Sequence, residues 1–110
     1  FYSKAIINAD SFNSEAIQKN NNLMISDKAT VHSNPQLEIY NNDVKCSHGS
    51  TTGEIDDELL FYMQTRGLNK IDCKKIILHG FANEIIKELN SNRFKNKIQG
   101  KIKEWLYCAS

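Results

Sequence analysis

Cys46 and His48 stand two residues apart in "NNDVKCSHGSTTGEID", the stretch covering residues 41–56. Thiolate and imidazole are both good ligands for zinc, copper and iron. On an extended backbone, side chains at i and i+2 point to the same side, so the pair can address one ion. Two donors do not complete a site, because a structural zinc takes four. Neither Cys73 nor His79 has a spacing that predicts convergence with them, so completion requires ligands from a partner chain. The plain alternative makes Cys46 a small buried hydrophobe and His48 a turn residue at a strand end. A cysteine–histidine nucleophile is disfavoured, since neighbours on one strand are not aligned for attack and no third, orienting group is evident.

The remaining chemistry-bearing residues are weaker. Cys73 and His79 lie six apart in a helical pattern, on different faces, and make poor joint ligands. His32 precedes "SNP" and reads as a surface turn residue. Cys108 sits next to the C-terminus and is expected to fray. Glu54, Asp56, Asp57 and Glu58 suggest either a cation site or, more simply, helix-start charge favoured by the helix dipole. No phosphate-binding glycine loop is present, and "HGFAN" offers one glycine inside a helical pattern.

The chain has 110 residues and a formal charge of +1, which suits one small domain or a piece of a larger one. Phe1 stands first without a methionine, which reads as a fragment or processed product. No apolar run approaches the roughly 18 residues of a membrane helix. Cys46, Cys73 and Cys108 leave one cysteine over under any internal pairing and have no zinc-finger spacing, so they read as reduced intracellular thiols. Residues 1–55 hold four Lys against six Asp or Glu, a net −2; residues 56–110 hold ten Lys or Arg against seven, a net +3. That asymmetry is too slight for a nucleic-acid surface. The run Lys95, Lys97, Lys101 and Lys103 reads as a solvated helix face.

Two periodicities divide the chain. In residues 1–50 short strands are expected at Lys4–Ile7, Asn22–Ser26, Ala29–His32, Gln36–Tyr40 and Asp43–Ser47, punctuated by Asn, Asp, Ser and Pro. Pro35 lacks a donor and fits a turn or strand start. Brief strands with Asn-rich corners fit stacked β-helix rungs or an ordinary small sheet, and no exact repeat decides between them. From residue 56 the spacing becomes helical. Asp56 or Asp57 caps a first helix from Glu58 to about Arg66, with Leu59, Leu60, Tyr62 and Met63 apolar, and Gly67 stops it. A second helix begins at Asp72 and runs to Leu89, with a stripe of Ile76, Ile77, Phe81, Ile85 and Leu89. Gly80 weakens it, so close packing is expected there. "NSN" at 90–92 breaks the pattern. A third helix runs from Arg93 to about Tyr107, with Phe94, Ile98, Ile102, Trp105 and Leu106 on one face. Three helices together can bury such stripes.

The segments "NPQLEIY", "DVKCSHG" and "GEIDDELLFYMQTRG" together resemble the SufD side of the SufB/SufD family of iron–sulfur cluster assembly proteins, in its C-terminal portion. The likeness runs from Phe1 to at least Leu89. It implies a mainly β fold with α: the last rungs of a right-handed parallel β-helix over residues 1–55, then a C-terminal three-helix region over 56–110. It implies a non-enzymatic scaffold. A SufB-like subunit would pair through the β-helix end, and a SufC-like ATPase would dock on the helical region. The iron–sulfur cluster would be transient and shared with the SufB-like partner, with none expected on the isolated chain. The family's cluster-related histidine lies in "KCSHG", which carries to His48 as ligand or near-ligand, with Cys46 and Glu54 behind it. Phe61, Tyr62, Arg66 and Gly67, with Leu78, His79, Gly80 and Phe81, are the expected ATPase contact. Ser50 and Ser3 depart from the alanine and glycine usual in the family, and neither removes a proposed ligand. No nucleic acid or membrane partner is implied. The family operates in bacterial cytoplasm and in plastid-type organelles. The thirteen asparagines and thirteen isoleucines suggest an AT-biased gene and lean toward an organelle such as an apicoplast. The rival from another class is a purely structural, protein-interaction module without a cluster ligand; a small zinc protein is a third.

Overall fold

The computed structural model describes residues 1–108, the Cys108 side chain excepted, so the expectation for that thiol falls outside the described residues. The chain divides into two units, Phe1–Glu54 and Ile55–Ser110.

The first unit holds β1 (Tyr2–Ile7), β2 (Ser14–Met24), β3 (Asn34–Ile39) and β4 (Val44–Glu54). No strand pairs with its successor. β1 pairs in parallel with β3, from Tyr2 opposite Asn34 to Ile7 opposite Ile39. β2 pairs in parallel with β4, from Ser14 opposite Val44 to Met24 opposite Glu54. Parallel pairing needs a long crossover, and here each crossover carries a strand of the other two-stranded sheet. The chain therefore traces β1–β2 and repeats that path as β3–β4.

The β1–β2 and β3–β4 corners are held together by asparagine and aspartate. Asn41 is buried; its amide donates to the Ala9 carbonyl at 2.7 Å, and its Oδ1 accepts from the Asp43 backbone N–H at 2.8 Å. Asn13 has φ 53°, the left-handed region that asparagine tolerates better than most residues. Its N–H donates to Asp43 Oδ2 at 3.0 Å. The corner between β3 and β4 is thus tied to the corresponding corner between β1 and β2.

Several strand boundaries differ from expectation. β2 begins at Ser14 and ends at Met24, whereas Asn22–Ser26 was the segment expected. Its half-buried face is Ser14, Ala16, Gln18, Asn20 and Asn22, so the alternation is real but not apolar, and hydrophobic periodicity passes over it. Ala29–His32 is irregular chain rather than strand. β4 continues past Ser47 to Glu54, because "SHGSTTGE" keeps its ladder with β2 throughout.

The second unit holds α1 (Asp57–Thr65), α2 (Lys70–Ile86) and α3 (Asn92–Lys103), followed by a π-helical turn at Glu104–Cys108. Side chains satisfy the first orphan amides of each helix. Asp56 accepts from Glu58 N–H at 2.9 Å, Asn69 from Asp72 at 2.8 Å, and Ser91 from Phe94 at 3.3 Å. α2 therefore starts before Asp72, which returns the contact by accepting from Asn69 Nδ2 at 2.7 Å. It also ends at Ile86, short of Leu89. Gly67, at φ 96°, ends the α1 segment in the left-handed conformation that glycine reaches without steric cost.

Leu60, Cys73, Ile86 and Leu106 are the buried apolar residues of this unit. The stripe expected on α2 holds in part: Ile77, Phe81 and Leu89 are half-buried, while Ile76 and Ile85 are exposed and Cys73 and Ile86 are buried instead. Leu59, Tyr62, Phe94 and Trp105 are likewise exposed despite their expected inward faces. A Cβ at Gly80 would meet nothing within 4 Å, so close packing within the chain does not explain that glycine.

Candidate functional site: one face of β4

β4 places Cys46 opposite Ala16 and His48 opposite Gln18 on β2. The equal parity of 46 and 48 puts both on one face of the strand pair. Hydrogen bonds identify what that face looks toward. Gln18 Nε2 donates to Ser3 Oγ. Asn20 Nδ2 donates to Ser33 Oγ at 2.7 Å, and Ser50 Oγ donates to the same oxygen at 2.9 Å. His48 Nδ1 lies 3.2 Å from the Pro35 carbonyl oxygen. The face thus turns toward β1, β3 and the segment leading into β3. Cys46 is half-buried and points inward with Ala16; His48, on the same face, is exposed. His48 is mid-ladder in a strand and not a turn residue.

The surroundings are polar and uncharged. Gln18 Oε1 is buried and, among the described residues, has no hydrogen-bond partner. Among the described residues, no three His, Cys, Asp or Glu side chains converge on a common point. Glu54 shares the parity of His48 but stands six residues along an unbroken ladder, about 20 Å away at the rise of a strand. The structure brings Cys46 and His48 together and leaves Glu54 apart. Pro35, Gln18, Ser3 and Ser33 complete the setting. Their side chains carry no motif, and only the 30- to 32-residue pairing offsets would have pointed to them.

In the helical unit, Phe61 is 70% exposed. Tyr62 is also exposed; the Arg66 guanidinium lies 5.1 Å from its ring centroid and donates to its hydroxyl at 2.8 Å. Leu78, His79 and Phe81 are half-buried and Gly80 is exposed. The His79 and Tyr107 rings meet edge to face at 6.2 Å. Cys73 is fully buried, a packing thiol remote in role from any exposed donor set.

Residues 1–81 match the family described as SUF system FeS cluster assembly, SufBD core domain. The iron–sulfur cluster assembly protein SufD of Escherichia coli is 46% identical over 83 residues, which cover 76% of this chain and 20% of that protein. A SufBD family protein of Synechocystis is 34% identical over 95 residues, 86% of this chain and 20% of its own length. A relative named as chloroplastic in Arabidopsis thaliana, protein ABCI7, is 29% identical over 86 residues, 78% of this chain and 18% of its own length. The chain thus spans about a fifth of the length of these curated relatives. With three-quarters of its residues inside the family match, the chain belongs to the SufB/SufD family of iron–sulfur cluster assembly proteins.

Proposed function

We propose that the chain acts as a SufD-like scaffold of an iron–sulfur assembly complex, with the cluster as cargo. The observation that carries this reading is the shared face of Cys46 and His48 on β4, a strand with β2 on one side and, among the described residues, no strand on the other. A donor pair beside an open strand edge suits a site finished by another chain, here a SufB-like subunit. His48 is the ligand, Cys46 the adjacent thiol, and Glu54 is too distant to share the same iron. The 30- to 32-residue pairing offset supports residues 1–55 as terminal rungs of a right-handed parallel β-helix, with 56–110 as the C-terminal helical domain.

The helical domain would dock a SufC-like ATPase. Exposed Phe61 and Tyr62 favour this, as does Arg66 held against Tyr62. Gly67 and the Leu78–Phe81 stretch of α2, including His79 and Gly80, are its second patch. ATP hydrolysis belongs to that partner, and this chain transmits the motion. Bacterial cytoplasm or a plastid-type organelle such as an apicoplast is the expected compartment, in keeping with bacterial and chloroplastic relatives. Anaerobic reconstitution of the co-purified complex tests the reading. His48→Ala should lower iron and sulfide per complex with subunit stoichiometry unchanged; an undiminished cluster would reduce the chain to a structural module.

A further inference from the structure

A backbone carbonyl oxygen only accepts hydrogen bonds. The 3.2 Å contact between His48 Nδ1 and the Pro35 carbonyl is therefore a hydrogen bond only when Nδ1 carries the proton. In neutral imidazole the lone pair then sits on Nε2. The Pro35 carbonyl is open to this contact because of how β3 is laid down. The N–H groups of Asn34 and Tyr40 donate to the Phe1 and Ile7 carbonyls. Backbone groups of successive strand residues point to alternate edges. Even-numbered residues of β3 therefore face β1, and Pro35 faces the opposite edge, where its sheet has no further strand among the described residues. Proline has no N–H, so position 35 offers that edge an acceptor with no donor of its own.

We propose that the Pro35 carbonyl locks His48 in its Nδ1–H tautomer, which makes Nε2 the atom presented to cluster iron. The inference rests on the reading of His48 as a cluster ligand and assigns Pro35 as its positioning residue. Metal-binding histidines are commonly oriented in this way, with the second ring nitrogen donating to a carbonyl or carboxylate. Here the orienting group is in place before any iron arrives.

The test reads the ring nitrogens without a cluster. The full chain is labelled with 15N-histidine, and long-range proton–nitrogen correlations are recorded at alkaline pH, where free imidazoles are neutral. A His48→Gln sample identifies which of the patterns from His32, His48 and His79 belongs to His48. The expected pattern is a protonated Nδ1 and an unprotonated Nε2, shifting toward that of His32 when urea unfolds the chain. A protonated Nε2, an average of the two tautomers, or identical patterns with and without urea would overturn the lock. A confirmed tautomer with the cluster retained in His48→Ala would keep the lock and remove the ligand reading. A reversed tautomer with the cluster lost would do the opposite.

Discussion

The strand unit and the helical unit bury opposite kinds of residue. Among the described residues, Asn41 is the buried residue of Phe1–Glu54, whereas Leu60, Cys73, Ile86 and Leu106 are those of the second unit. The strand unit keeps its register with hydrogen bonds: Asn41 at the β3–β4 corner, and Gln18, Asn20, Ser33 and Ser50 along the inner face. The helical unit relies on apolar burial, which is non-directional and tolerates sliding. The difference suits the two tasks proposed for them. A ligand must be held at a fixed position and tautomer, and directional bonds do that. A surface that docks an ATPase and relays its motion benefits from packing that can adjust.

The contrast breaks first in the helical core. Ile86→Ala should cost about 2–5 kcal/mol, the usual range for a buried isoleucine whose cavity only partly collapses. Urea unfolding followed by Trp105 fluorescence would show a lower midpoint at unchanged slope. A shift under about 1 kcal/mol would mean that the core is looser than its burial implies.

The corner asparagine supplies the next test. Asn41→Ala leaves the Ala9 carbonyl and the Asp43 N–H without their partner, at about 1–3 kcal/mol for a buried unsatisfied group. Asn41→Leu is more telling. A unit held by apolar burial would tolerate or welcome leucine at a buried position; this one should lose at least as much as with alanine. Amide exchange of the β2–β4 ladder measures it, and a stabilised Asn41→Leu would erase the distinction between the units.

Gly80→Ala should act in the other direction. With open space around it, alanine is expected to stabilise α2 by up to about 1 kcal/mol, visible as a raised thermal midpoint of the chain alone. If the same variant weakens association with the proposed SufC-like ATPase, Gly80 is open for that partner's close approach; if not, the proposed contact lies elsewhere.

The smallest effect belongs to the surface. Lys4 Nζ and Glu38 Oε1 meet at 2.5 Å. Their hydrogen bond raises the Lys4 pKa above 10.5 and lowers that of Glu38 below 4.5, partly opposed by desolvation. The Glu38 contribution is present above its unfolded value and fades as pH falls through its lowered folded value. That of Lys4 is present below its unfolded value and is lost as pH rises through its raised one. Native and Lys4→Met stabilities should therefore differ most at intermediate pH and converge at both extremes. Because the pair is solvent-screened, the difference should be slight; a difference that persists into acid would assign it to packing of the lysine stem.

The helices were readable because their signals are local. Asp56, Gly67 and the "NSN" break mark ends by cap chemistry within a few residues, although α2 starts at Lys70, capped by Asn69, rather than at Asp72. The apolar stripes were read in part: Leu60, Ile77, Phe81, Ile98, Ile102 and Leu106 are buried or half-buried, whereas Leu59, Ile76, Ile85, Phe94 and Trp105 are exposed, since in so small a unit many apolar residues stay exposed and only tertiary packing selects among them. Residues 14–21 of β2 were hidden because Ser14, Gln18 and Asn20 stand on its inner face. Cys46 and His48 were legible as a same-side pair from strand geometry. Pro35 as neighbour of His48 was not, because that contact depends on two strands pairing at a distance. The family resemblance supplied the shared-site idea that spacing alone left open.

The central claim is that the inner face of β4 presents a cluster ligand, and adjacent residues on opposite faces test it most directly. Iron and sulfide per intact co-purified complex would be measured after anaerobic reconstitution for native chain, Ser47→Ala and His48→Ala. Native content in Ser47→Ala with loss in His48→Ala is the predicted result; equal content in all three would contradict the account.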